Sequence, residues 1–266
     1  VKGLSGEEDR RAMQIAISGL AAISMGKVQL QGARIHWRDR KRKLDYSLDN
    51  VSVVSHSLGG GALGIELSGN WSWLPVETHG RVMLNYEVRD QGDQFELADL
   101  HLLLTSQSDK VFLREAELRL ATNLVLDFDD HLIVANDMEM GLTGWFTRYS
   151  LRDLEMVLKG TAQWDIAKAA GTMAEARLTV KAHADDLPPA GMNFLMRTGL
   201  EWQGQTDALT LNGIHLDGPA DTRLQGNLVL QGFQDGLHQV VAKGHLVTEP
   251  FDPKALFVAM GRQLPR

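Results

Sequence analysis

The chain has no cysteine. That excludes disulfides, thiol nucleophiles and Cys-ligated zinc, and it leaves cytosol and periplasm equally open. No run of about 20 apolar residues occurs, so nothing in the sequence reads as a membrane-crossing helix. The nearest stretch, Met13 to Met25, is short and rich in small residues. An excess of basic charge is missing too. The net charge of -7 and pI of about 5.7 argue against a nucleic-acid partner. The nine histidines form no H-E-x-x-H and no adjacent ligand pair. His101 and His215 sit at polar positions of alternating segments and read as surface residues.

The motifs that remain are weak. Gly59-Gly60-Gly61-Ala62-Leu63-Gly64 fits G-x-G-x-x-G by letter, but the residues after it alternate like a strand and do not open a helix, so it reads as a turn. Asp127, Asp129 and Asp130 supply only part of a calcium loop and also read as a turn. The basic run from Arg38 to Lys43 reads as a solvated loop. No residue is nominated for catalysis or for binding a metal or cofactor, and the expectation is a protein without enzymatic activity.

What the sequence does contain is alternation. It is 44% hydrophobic and 23% charged over 266 residues, a folded composition long enough for one large β domain. One pattern returns five times: Tyr46 to Val53, Phe95 to Leu102, Ile133 to Met140, Tyr149 to Met156 and Leu209 to Leu216. Each copy alternates apolar with polar residues, reaches a central polar pair, and resumes alternation in mirror order. The pairs are Asp49-Asn50, Ala98-Asp99, Asn136-Asp137, Arg152-Asp153 and Asn212-Gly213. A two-residue hairpin turn explains this pattern, and so does a β-bulge within one strand. The pair itself varies freely between copies while the flanking apolar residues persist. A similar shift in register at Gln31-Gly32 marks a bulge or tight turn.

Helices are expected near both ends. Glu7 to Ser24 follows a Ser5 cap, and Lys254 to Met260 follows Pro250 and Pro253. Short helical pieces are also expected within 164–173 and 192–197. The segment 184–191, with Asp185, Asp186, Pro188 and Pro189, is the candidate subdomain hinge within a single domain spanning 1–266. Many short strands without strand–helix alternation mean a mainly β, antiparallel fold. The apolar side of such a sheet must be covered by a second layer, by curling, or by a ligand.

Four stretches carry a family resemblance. They are Ala22 to Asp39, a small-residue helix leading through a strand to Trp37-Arg38-Asp39; the units Tyr46–Val53 and Phe95–Leu102; and the ending Pro250-Phe-Asp-Pro-Lys-Ala-Leu-Phe-Val-Ala-Met-Gly-Arg-Gln-Leu-Pro265. In this order they resemble the C-terminal periplasmic region of the AsmA family. The resemblance implies a bridge-like protein of the Gram-negative envelope, anchored in the inner membrane by a segment outside this chain and linked to outer-membrane assembly and lipid homeostasis. It implies a long, strongly twisted and curled antiparallel sheet forming an apolar groove or flattened barrel-like core. Its expected partners are phospholipid or another acyl-chain lipid, and other envelope proteins. The groove or core face would be Tyr46, Leu48, Val51, Val53, Leu97, Leu100, Leu102, Leu151, Leu154, Leu211 and Ile214. The second reading is a structural or adaptor β domain of envelope assembly whose apolar face is closed and binds no lipid.

Overall fold

A computed structural model describes residues 29–39, 44–73, 77–90, 94–108, 113–146, 151–184, 187, 191–233 and 239–259. The helix expected over Glu7 to Ser24 and residues 40–43 of the basic run lie outside them. Thirteen strands follow one another: β1 (Gln29–Asp39), β2 (Leu44–Gly59), β3 (Ala62–Trp73), β4 (Thr78–Asp90), β5 (Gln94–Gln107), β6 (Leu113–Asp127) and β7 (Leu132–Phe146). β8 (Leu151–Asp165), β9 (Ala170–Ala184), β10 (Met192–Gln203), β11 (Ala208–Asp217), β12 (Arg223–Gln231) and β13 (Val241–Thr248) complete them. Helix α1 (Pro253–Ala259) follows and packs against a 3-10 turn at Pro219–Asp221.

Spatial order equals chain order. Each strand pairs antiparallel with its chain neighbours from β1 to β13, and β9 pairs with β10 on either side of the 184–191 segment. This corrects the groove or barrel expected from the sequence: the sheet is neither closed nor strongly curled. Among the described residues β1 and β13 do not pair with each other, so both remain edges.

Alternation puts one apolar row on each strand, and the ladders bring these rows onto a common face. Leu48 lies between Ile35 and Trp71, and Leu102 between Leu84 and Leu120. Among the described residues no second sheet lies over this face, and no large side chain is completely buried. The side chains shield one another sideways. The clearest cluster joins Leu63, Ile65 and Val88 to Val53, Tyr86, Phe95 and Leu97. At one end Trp37, Tyr46 and Trp73 stack across three strands, with centroids 5.7 and 5.5 Å apart. Contacts of this kind contribute about 0.5–1.5 kcal/mol each beyond their burial.

The five repeated units are bulges, and none is a hairpin. The central pair of each lies inside a single strand, and the ladders slip by one residue beside it on both sides; Tyr149 and Ser150 of the fourth unit lie outside the described residues. The second residue of every central pair has a left-handed backbone: Asn50, Asp99, Asp137, Asp153 and Gly213, with φ between 48 and 59°. Asn, Asp and Gly are the residues that enter this region at least cost. The pair therefore does not vary freely, because its second position is confined to these three types. Gly32 in β1, with φ of 66°, makes the same kink.

Two of the expected short helices are absent. Residues 166–169 form the turn between β8 and β9, and Met192 to Arg197 lies in β10. Met192, Phe194 and Met196 stand opposite Ala182, Val180 and Leu178. A period of two matched to a neighbouring apolar row decides for strand. Gly60 and Gly61 close the β2–β3 hairpin with φ of 61 and 84°, so the glycine run is a turn, as its alternating sequel implies.

Candidate functional site: the two faces of the sheet

The bulges set where side chains go. An extra residue lets apolar positions three apart share a face that strict alternation would split. The residue just after the kink is pressed into the apolar side. Val51, Leu100, Leu154 and Ile214 follow four of the left-handed residues and keep only 3, 7, 6 and 3% of their surface exposed. Leu211 is also buried, while Tyr46, Leu48, Val53, Leu97 and Leu102 are half-buried. Leu151 opens β8 opposite Phe146 and Ala184.

These positions share a face but do not converge on one site. They fall on β2, β5, β8 and β11, every third strand, so successive groups stand about 14 Å apart at the normal inter-strand spacing. The depression lined by Ile133, Ala135, Trp164, Met173, Leu200 and Trp202 holds about 230 Å³. A second depression, of about 640 Å³ and bordered by Met83, Leu103, Glu117, Arg119 and Val157, has the size of a small-molecule site but is open and edged by charged side chains. The structure therefore overturns the lipid groove as the main reading. Its apolar surface belongs to an open sheet, and the described residues form no enclosed trough to sequester acyl chains from water.

Sequence reasoning missed what holds the bulges. A kink turns one carbonyl and one amide out of the ladder, and both need partners. Thr198 on β10, 5% exposed, donates its hydroxyl to the Asn212 carbonyl, and Asn227 on β12 accepts the Gly213 N–H at 2.7 Å. On β6, Thr122 donates to the Asn136 carbonyl of β7 while Asn123 accepts the Asp99 N–H of β5. One Thr-Asn pair thus serves bulges on both sides. The available signal was Thr or Asn at positions that plain alternation would leave to any polar residue.

The opposite face is polar. Its ion pairs mostly run across or along neighbouring strands: Lys159 with Glu139, Lys181 with Glu155, Arg223 with Asp217 and Glu249. Such exposed pairs are worth about 0–1 kcal/mol. An open cleft of about 800 Å³ spans this face, lined among others by Asp49, Asn70, His79, Arg81 and Glu117. Two of its carboxylates are engaged: Arg34 pairs with Asp49, and Arg119 with Glu117. No group of three or more His, Asp or Glu side chains among the described residues is placed to hold a metal ion. Asp127 accepts the Asp130 N–H at 2.9 Å, which makes the acidic cluster a turn. His101 and His215 are exposed.

Electrostatics concentrate where β1 meets β2. Asp45 sits below the ordinary carboxylate range chiefly through its hydrogen bond to His36, then through Arg38. Asp49 is lowered chiefly by the Ser47 hydroxyl, then by Arg34. A carboxyl lowered by folding stabilises the fold above its unfolded value, about 3.9 for Asp. That contribution disappears as pH falls through the folded value. Strand β1 is therefore expected to loosen below about pH 4, read as faster amide exchange in β1 and a shift in Trp37 emission. The double variant D45N/D49N should lose that acid-dependent step; an identical step in the variant would sink the assignment.

The fold and its faces define a single-layer antiparallel β-sheet protein. Comparison with protein-family models, curated proteins and solved structures finds no match.

Proposed function

We propose that this chain is a non-catalytic structural or adaptor β domain of the bacterial envelope, making its contacts with protein and not with lipid. The observation that carries the reading is the architecture: thirteen described strands in unbroken chain order, open at both edges among the described residues, with the side-chain chemistry spread along the sheet. A surface of this kind offers length, regularity and edge hydrogen bonds, which suit spanning and docking. A binding pocket would instead need a few convergent polar groups in a deep concavity. The envelope setting rests on the resemblance of the stretches from Ala22 to Asp39 through to Pro250–Pro265 to the AsmA family. With them come periplasmic residence and attachment to the inner membrane through another segment.

Native mass spectrometry of the chain purified from bacteria tests the reading, combined with photo-crosslinking from exposed polar-face positions such as His101 and His215. The expected result is a protein free of stoichiometric lipid that forms discrete crosslinks to envelope proteins. Co-purifying phospholipid in a fixed ratio, or crosslinks to lipid alone, would overturn it.

A further inference from the structure

Asparagine followed by glycine is prone to react with itself. The glycine nitrogen, unhindered by a Cβ on its own residue, loses its proton to hydroxide and attacks Cγ of the asparagine. The bond from Cγ to Nδ2 breaks, ammonia leaves, and a cyclic succinimide joins the two residues. Water then opens the ring at either carbonyl. Attack at the side-chain carbonyl gives aspartate, and attack at the main-chain carbonyl gives isoaspartate. Of the chain's eight asparagines only Asn212 precedes a glycine, and each of the others precedes a residue that carries a side chain. Asn212 and Gly213 are both exposed, so hydroxide and water reach them.

The peptide group between Asn212 and Gly213 is nevertheless held at both ends. Its carbonyl accepts the Thr198 hydroxyl of β10 at 2.9 Å, and its N–H donates to Oδ1 of Asn227 on β12 at 2.7 Å. The second bond bears directly on the chemistry, because the attacking nitrogen must first give up the proton that Asn227 holds. It must then turn toward Cγ, and both bonds oppose that rotation. The related bulges carry the same kind of support without the same hazard. Asn123 holds the Asp99 N–H in β5, but Ala98 stands before it and offers no side-chain amide to attack. In β7 the Asn136 carbonyl accepts from Thr122, but the residue after it is Asp137, not glycine.

We infer that Asn212 is a site of spontaneous succinimide chemistry in this chain, and that the hydrogen bond from Gly213 to Asn227 keeps it closed in the folded state. Opening of β11 from β12 releases the nitrogen and starts the reaction, so the site records how often that ladder opens. Isoaspartate at this position adds a methylene to the backbone and a carboxylate close to Ile214, which is only 3% exposed. Conversion is therefore irreversible and removes the kink that aims Ile214 into the apolar face.

Peptide mapping by mass spectrometry tests this on the intact chain, incubated at mildly alkaline pH both folded and in urea. Asn212 should convert in urea ahead of the other asparagines, and at least about tenfold more slowly in the folded protein. N227A alters an exposed position, so its circular dichroism should match the wild type, and Asn212 should convert at least about tenfold faster in it. N227D keeps an oxygen that accepts the Gly213 N–H and should be as durable as the wild type. Should N227A lose its fold, N227L, close in shape and without an acceptor, takes its place. Folded wild type converting as fast as in urea, or a folded N227A as durable as the wild type, overturns the inference. N227D converting as fast as N227A overturns the role of the hydrogen bond.

Discussion

Gly80→Ala is expected to cost about 3 kcal/mol or more, whereas Gly141→Ala should leave stability unchanged or raise it slightly. Both glycines lie inside strands of the same sheet, so propensity alone treats them alike. Their surroundings do not. A methyl group on Gly80 would overlap the carbonyl oxygen of Thr105 and stand 2.9 Å from Nε1 of Trp71, while one on Gly141 meets nothing within 4 Å. The overlap is with backbone and cannot be relieved by turning a flexible side chain. It also falls on a specific bond: the Trp71 indole N–H reaches over Gly80 and donates to the Thr105 carbonyl at 2.9 Å. Displacing β4 or β5 breaks that bond and the neighbouring one from the Arg81 N–H to the Thr105 hydroxyl. Urea midpoints for the two variants check the prediction, and equal midpoints would show that the close approach is not real.

Leu100→Asp should be nearly as damaging, and its neighbour makes the control. Leu100 is 7% exposed, directly after the left-handed Asp99, while His101 points to the opposite, exposed side. A carboxylate at the first position loses apolar burial and is desolvated without a partner, together about 3–5 kcal/mol. His101→Asp should stay within about 0.5 kcal/mol. The pair of variants reads the face assignment directly. If both unfold at the same denaturant concentration, the bulge at Asp99 does not direct its neighbours as described.

Much of this was legible in the sequence. Period-two alternation marks most of the strands, and the repeated units mark the bulges, including the apolar residues on either side of each kink. The confinement of the second central residue to Asn, Asp or Gly was also readable, because a left-handed backbone selects those types. What could not be read was the strand count. As hairpins the five units would each split a strand in two; as bulges they leave β2, β5, β7, β8 and β11 whole. The expected curling into a groove came with the family resemblance and not from the alternation, which sets the faces of a sheet but not its curvature. Elsewhere local chemistry misled. Ala167-Lys168-Ala169-Ala170 is helix-favouring in composition, yet Asp165 accepts the Lys168 N–H and turns the chain into a hairpin. The Trp71–Thr105 bond spans 34 residues, and no local pattern announces it.

The strict neighbour-to-neighbour order of the strands has a kinetic consequence. Every ladder joins segments adjacent in the chain, so each pairing closes only a short loop, and none waits for distant parts to meet. All-β proteins fold slowly when their contacts are remote, and here they are local. The sheet can therefore assemble strand by strand from any hairpin and extend in both directions, much as repeat proteins propagate order along their length. Unfolding should run the same course in reverse, fraying from the outermost strands inward, with the central ladders the last to exchange their amide protons.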